Sequence, residues 1–98
     1  MPSEDVVYFD PALEKQLVGK QALEDYYSNI RGKIKNVQYK IINPVIQLSS
    51  DVAVLSFHYE ANMGGMIIKM NCTEVYMLNS SNQWEIIHTH WAYFQPNQ

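Results

Sequence analysis

Residues 52–91, VAVLSFHYEANMGGMIIKMNCTEVYMLNSSNQWEIIHTHW, contain the pattern that decides the fold. Three apolar-rich runs, residues 52–59, 66–78 and 83–94, alternate between two faces as half-buried strands do. The segments between them, Asn62-Met63-Gly64-Gly65 and residues 79–82, have the composition of hairpin loops. The sequence therefore predicts a meander of three long antiparallel strands in the C-terminal half.

A fourth alternating run lies directly before this meander, over residues 35–48. Asn43-Pro44 interrupts the run, and proline cannot donate a hydrogen bond to a strand ladder. We therefore predict one long strand with a bulge at Pro44, which would help the sheet to curl.

The N-terminal third predicts a strand and two helices. Residues 6–9, VVYF, are β-branched and aromatic and predict a strand. Asp10 and Pro11 suit the cap and first position of a helix, so we predict two helical turns capped by Asp10. After Gly19, apolar residues at helical spacing predict an amphipathic helix over residues 20–31, with Gly32 as its C-cap.

The size and charge of the chain limit the classes of function. Its 98 residues suit a single domain, residues 1–98, of α+β class. Seven basic residues face ten acidic ones, and the only basic cluster is Arg31, Lys33 and Lys35, so we expect no nucleic-acid binding.

Neither a disulfide nor a membrane span is expected. The single cysteine, Cys72, excludes an intrachain disulfide and a cysteine-rich metal site. No apolar run approaches the ~20 residues of a membrane span. The first five residues are acidic and lack the apolar core of a secretion signal, so we expect a cytoplasmic protein.

Several short motifs, in order along the chain, resemble the nuclear-transport-factor-2-like (NTF2-like) superfamily and its SnoaL-like members. They are Phe9-Asp10-Pro11-Ala12-Leu13, Leu17-Val18-Gly19, Tyr26-Tyr27, Ile42-Asn43-Pro44, Thr73-Glu74-Val75-Tyr76 and residues 84–91, WEIIHTHW. The most similar branch is the association domain of calcium/calmodulin-dependent protein kinase II, with its bacterial stand-alone relatives. The resemblance implies a cystatin-like cone, in which a strongly curved antiparallel sheet wraps N-terminal helices around a pocket.

The family resemblance also implies a partner. Members commonly begin with a long helix that covers the cone, whereas only five residues precede Val6 here. We therefore expect that first helix to be missing and its place to be covered by a second subunit. Members commonly dimerise through the outer face of the sheet, so we expect a homodimer whose interface includes Ser56, His58, His88 and His90.

The resemblance further implies a ligand pocket. Tyr59, Glu74 and Trp91 match positions that hold pocket arginines in the kinase association domain. Together with Tyr27 they imply an aromatic pocket with one carboxylate, which suits a neutral or cationic, partly apolar small molecule. Glu74 is the candidate catalytic acid or base, because a carboxylate on an apolar wall suits proton transfer. The alternative is an ordinary carboxylate that pairs with a neighbour or reaches solvent at the mouth of the cone.

The histidines and the cysteine each allow a second interpretation. His88 and His90 share a strand face, and with His58 they could form a three-histidine zinc site. We prefer the interface interpretation and expect no metal and no cofactor. Cys72 is more often a small buried side chain than a nucleophile.

Two functions remain open at this level. One is a homo-oligomeric domain that binds an unidentified small molecule, with acid–base catalysis as an option. The other is a non-enzymatic assembly module that oligomerises through its sheet.

Overall fold

The computed structural model describes residues 1–31 and 38–93, with the side chains of Ile30, Arg31 and Met63 left undescribed. This part of the chain forms six strands and one helix. In chain order they are β1 (Pro2–Phe9), β2 (Leu17–Val18), α1 (Lys20–Arg31), β3 (Gln38–Leu48), β4 (Val52–Met63), β5 (Met66–Leu78) and β6 (Trp84–Tyr93).

All six strands belong to one sheet, in the order β2-β1-β6-β5-β4-β3. The predicted meander is confirmed, and β3 extends it to four antiparallel strands. β1 runs parallel to β6, so the sheet is mixed and not purely antiparallel as predicted. Parallel neighbours need a long connection, and here β2, α1, β3, β4 and β5 lie between β1 and β6 along the chain.

The predicted helix after Asp10 is wrong. The Ala12 N–H donates to Asp10 Oδ1 at 2.8 Å, and the Leu13 N–H donates to the Asp10 carbonyl at 3.2 Å. Asp10 therefore closes a tight local turn with its own side chain, as aspartate often does.

The second half of that predicted helix is the short strand β2. Leu17 and Val18 pair with β1, and the Gly19 N–H donates to the Val6 carbonyl at 2.8 Å. A helix this short would gain few internal hydrogen bonds, so pairing with β1 satisfies the backbone better.

The predicted helix over residues 20–31 is confirmed as α1. It begins after Gly19, whose φ of +100° favours glycine. Leu23 is buried where α1 packs against β1, next to Val6 and Tyr8. The predicted cap at Gly32 lies outside the described residues, as do Lys33 and Lys35.

The predicted bulge in β3 is confirmed. The β3–β4 register shifts between Ile42 and Val45, and Asn43 has a φ of +53°. The predicted start of this strand at residue 35, and the predicted end of the last strand at residue 94, lie outside the described residues.

A second bulge lies in β6. The β5–β6 register shifts at Val75–Tyr76, and residue 87 is the extra residue opposite that step. Both bulges increase the local twist and curl of the sheet.

The core is small and lies at one end of the sheet. Its centre is Val6, Tyr8 and Leu23, with exposures of 0%, 3% and 3%. We call the sheet face that meets α1 the inner face, and the opposite one the outer face.

Away from this core the sheet is open. α1 contacts β1 and β2, whereas β3 is an edge strand with exposed apolar side chains, among them Ile46 at 68% and Leu48 at 71%. Within the described ranges, no helix is both long and apolar enough to cross a bilayer.

Candidate functional site

One row of residues crosses the inner face at its centre. Tyr8 pairs with Thr89, Thr89 with Glu74, and Glu74 with Leu55. Directly paired residues share a sheet face, so Glu74 lies on the same face as buried Tyr8. Two strand spacings separate them, which is about 10 Å between their Cα atoms.

Glu74 is held by hydroxyl groups. Tyr76 Oη donates to Oε1 at 3.0 Å, and Thr89 Oγ1 donates to Oε2 at 3.1 Å. Burial, reinforced by the Glu74 carboxylate, raises the pKa of the Cys72 thiol to about 12 and that of Tyr76 to about 12. Glu74 itself is partly exposed, so a ligand on the inner face could reach it.

Asp10 forms a second carboxylate centre, which the sequence interpretation missed by assigning Asp10 to a helix cap. Its Oδ2 accepts hydrogen bonds from Tyr8 Oη at 2.9 Å and from Tyr26 Oη at 2.6 Å. Burial is the main cause that raises the pKa of both phenols well above the usual range, and the Asp10 hydrogen bonds add to it. Both phenols therefore stay protonated near neutral pH and act as donors.

A signal for half of this centre was present in the sequence. Tyr8 and Asp10 are two residues apart at the end of a strand, so their side chains point to the same face. Tyr26 is sixteen residues away from Asp10 along the chain, and only the packing of α1 brings it there.

Tyr27, on α1, is close enough to both carboxylate centres for their charges to affect its phenol. Its ring is 5.5 Å from that of Tyr8 in an edge-on arrangement. Burial is the main cause that raises the pKa of the Tyr27 phenol, and Glu74 and Asp10 both contribute to the increase. A hydrogen bond with Tyr8 acts in the opposite direction, but the pKa stays raised, so the Tyr27 phenol is uncharged near neutral pH.

The aromatic wall of the predicted pocket lies on the same face. The Trp91 ring is 5.3 Å from Tyr59 and 5.7 Å from Phe57, both edge-on, and Tyr39 stacks on Tyr59 at 5.8 Å. Of the predicted pocket residues, Tyr59, Glu74 and Trp91 lie on the inner face and Tyr27 lies on α1, which packs against that face; all four are partly exposed.

The four predicted interface residues lie on the outer face. Ser56 pairs with Thr73 and Thr73 with His90, while His88 and His58 occupy the flanking rows. The β6 bulge at residue 87 precedes His88, so His90 and Trp91 keep opposite faces as predicted.

The histidines contact neighbours on their own face. The Phe9 ring lies 5.7 Å from the His88 ring and 5.4 Å from the His90 ring, and His58 Nδ1 is 2.6 Å from Asn71 Oδ1. No group of three metal-ligating side chains occurs in the described part of the chain.

The centre of the outer face carries no Lys, Arg, Asp or Glu. We call it the outer patch, and all its members are at least partly exposed. It consists of Val7, Phe9, Val54, Ser56, His58, Asn71, Thr73, Val75, His88, His90 and Ala92.

A separate hollow of about 330 Å³ lies near the β4–β5 hairpin. Its lining includes Lys40 and Glu60, which form an ion pair at 3.1 Å, and Lys69 lies 3.7 Å from the same carboxylate. The hydrogen bond from Lys40 is the main cause that lowers the pKa of Glu60. The hollow is remote from Glu74, and the sequence interpretation did not foresee it.

Known proteins resemble this chain in sequence and in structure. The family model described as "SnoaL-like domain" matches residues 1–94. A structure from Parabacteroides distasonis ATCC 8503, which carries the provisional name ketosteroid isomerase, is 40% identical. It aligns over 99% of this chain and 73% of its own, with a TM-score of 0.87.

More distant structures share the fold alone. An NTF2-like protein of unknown function from Pseudomonas putida KT2440 is 22% identical, covers 98% of this chain and 70% of its own, and has a TM-score of 0.87. The CaMKII hub of S. rosetta is 15% identical, with coverages of 96% and 77% and a TM-score of 0.80. None of the curated proteins matches the sequence detectably. By its sequence and its fold, the chain belongs to the SnoaL-like family of NTF2-like domains.

Proposed function

We propose that the inner face binds a small, partly apolar molecule and moves a proton within it. One observation carries the proposal: Asp10 and Glu74 are two carboxylates on the side of the sheet that meets α1, each hydrogen-bonded to uncharged donors, and the Tyr27 phenol is close enough to feel the charge of both. Tyr59 and Trp91 supply adjoining aromatic surface for the apolar part of the molecule.

This arrangement suits isomerisation next to a carbonyl group. A carboxylate removes a proton from the carbon beside the carbonyl, and the electrons of that C–H bond form an enolate. A neutral phenol such as Tyr27 donates a hydrogen bond to the enolate oxygen. The carboxylic acid then returns the same proton to another carbon of the conjugated system, so no net oxidant, water or cofactor is consumed.

The relative at 40% identity supports this reaction class through its provisional name, ketosteroid isomerase. Glu74 is the candidate acid–base residue, and Asp10 is the second carboxylate that can take that role.

We also propose a cytoplasmic location, because one free cysteine suits a reducing compartment.

A β,γ-unsaturated 3-ketosteroid tests the proposal, since its double bond becomes conjugated on isomerisation and ultraviolet absorbance rises. We expect turnover, and a drop in kcat of at least about a hundredfold when the acid–base carboxylate is neutralised in Glu74→Gln or Asp10→Asn. Glu24→Gln, on the exposed side of α1, is the matched control and should leave the rate unchanged. The proposal would be contradicted if the wild-type chain neither turned over the substrate nor bound the conjugated product.

A second proposed function is supported by a different observation, which is that the outer patch contains no Lys, Arg, Asp or Glu. We propose that two copies stack through this patch as a homodimer, with Ser56, His58, His88 and His90 in the interface. Facing sheets pack about 10 Å apart when their side chains are uncharged and interdigitate. Two structural neighbours are named as CaMKII hubs, and those names are consistent with an assembly role.

Light scattering at micromolar concentration tests the assembly. The wild-type chain should have the mass of a dimer at about pH 8, and Thr73→Lys should have that of a monomer because it places a charge in the patch. Ser80→Lys, in the exposed β5–β6 turn, is the control and should remain a dimer. A monomeric wild-type chain would refute this second function.

A further inference from the structure

We propose that the hollow near the β4–β5 hairpin is a second binding site, which takes a small organic anion, a monocarboxylate with a short apolar body. The site is separate from the proposed inner-face reaction, because other residues form it and most of them project from the outer face. Lys69, beside the hollow, precedes Glu74 by five residues on β5, which is about 17 Å along an extended strand.

The strand register explains the shape of the hollow. Two neighbouring rows of side chains project from the outer face, and Tyr39 and Ala61 lie between the rows. Residues two apart on a strand are separated by about 7 Å, so a trough of about that width runs between the rows. The hollow of about 330 Å³ is within the size range of small-molecule sites. One row is Lys40, Glu60 and Lys69, and the other is Gln38, Asn62 and Ile67.

The charged row is positive overall. Glu60 lies 3.1 Å from Lys40 Nζ and 3.7 Å from Lys69 Nζ, so two ammonium groups share one carboxylate. Each ammonium has three N–H donors and uses one of them on Glu60. A ligand carboxylate between the same two lysines balances the row with charge-assisted hydrogen bonds, whereas a cation there meets a net positive charge.

The second row supplies a neutral donor and an apolar contact. The Gly65 N–H donates to Asn62 Oδ1 at 2.9 Å, so the oxygen of this amide is engaged and its NH₂ group is the end that can donate to a ligand. Ile67 is 62% exposed, and the apolar body of a ligand removes part of that surface from water. The two rows together therefore favour an organic carboxylate over an inorganic anion.

A titration with benzoate, followed by NMR of the backbone amides, tests the proposal, and benzamide is the uncharged counterpart with the same ring. Benzoate should shift the amide signals of residues 38–40, 60–62 and 67–69. Its Kd should be about 1–10 mM at low salt, because the lysines are exposed and the ligand is small. Benzamide should bind at least about threefold more weakly.

Charge variants should change the affinity in opposite directions. Lys40→Gln should raise the Kd for benzoate by about threefold, because it removes one of the two ammonium groups. Glu60→Gln should lower the Kd by about threefold, because the carboxylate that competes with the ligand is gone. Lys15→Gln removes the same charge at an exposed position before β2 and is the matched control, with a Kd close to that of the wild type.

The NMR spectra also show whether each variant is folded. The proposal would be overturned if benzoate shifted none of these amides at about ten times the expected Kd, or shifted only amides elsewhere in the chain. Equal affinities for benzoate and benzamide would also overturn it, as would weaker binding by a folded Glu60→Gln variant. None of these results bears on the proposed isomerisation, which depends on Glu74 and Asp10.

Discussion

Replacing Asp10 by alanine tests the carboxylate centre at the end of β1. The change removes the acceptor of three hydrogen bonds, from Tyr8 Oη, Tyr26 Oη and the Ala12 N–H. If Asp10 only capped a turn or helix, alanine would cost about 1 kcal/mol of unfolding free energy. The structure predicts a larger loss, because two phenols depend on the same oxygen.

The magnitude follows from the burial of each donor. Tyr8 is 3% exposed, so its hydroxyl cannot turn to water, and losing a bond to a charged acceptor costs about 1.5–3 kcal/mol. Tyr26 is partly exposed and Ala12 is exposed, so water replaces part of what they lose, and together they add about 1–2 kcal/mol. We therefore expect Asp10→Ala to lower the unfolding free energy by about 3–5 kcal/mol.

Urea denaturation at fixed protein concentration measures this loss. With a slope of about 1.5 kcal/mol per molar urea, the midpoint should fall by about 2–3 M. Tyr8→Phe keeps the ring and loses one hydroxyl, so it should cost about 1–2 kcal/mol, and Glu14→Ala at an exposed turn position should change less than about 0.5 kcal/mol. A loss near 1 kcal/mol for Asp10→Ala would refute the shared carboxylate centre.

Three further predictions concern stability. Tyr76 has a pKa of about 12 in the folded chain against 10.0 ordinarily, so its contribution to stability is full below about pH 10 and is lost as pH rises toward 12. The unfolding free energy should therefore fall by up to about 1.4 kcal/mol per pH unit in this range for each such tyrosine. An unfolding free energy that stays constant from about pH 9 to about pH 12 would contradict this. Thr89→Val removes a buried donor to Glu74 and should cost about 1–2 kcal/mol in urea, whereas Thr73→Val on the exposed outer face should cost little; equal effects would count against the Glu74 geometry. Gly19→Ala forces a side chain onto a φ of +100° and should cost about 1–3 kcal/mol, measured by thermal or urea unfolding, and a stabilised variant would contradict the turn.

The elements that could be predicted from sequence are those whose signal is local. The alternation in β4, β5 and β6 and the apolar stripe of α1 depend on residues a few positions apart. The bulge at Asn43-Pro44 was predictable for the same reason, because proline removes a ladder donor whatever surrounds it.

The missed features depend on partners far along the chain. β2 has two residues and is a strand only because β1 lies beside it. The parallel pairing of β1 with β6 joins residues about eighty positions apart, for example Val7 with His88. Local capping rules suggested a helix at Asp10, but contacts with Tyr26 and β1 outweigh that preference.

The candidate site was predicted in part. The family resemblance implied that Tyr59, Glu74 and Trp91 share one face, and the structure has them on one face. The hydroxyl donors to Glu74 come from two different strands, and register alone brings Thr89 to it.

The location of a bound ligand tests the central claim most directly. A crystal of the chain soaked with the conjugated 3-ketosteroid product should show the molecule on the inner face, against Tyr59 and Trp91. One of its oxygen atoms should lie within hydrogen-bond distance of Tyr27 or Glu74. A ligand bound on the outer face, or an inner face closed by protein side chains with no room for the molecule, would contradict the account.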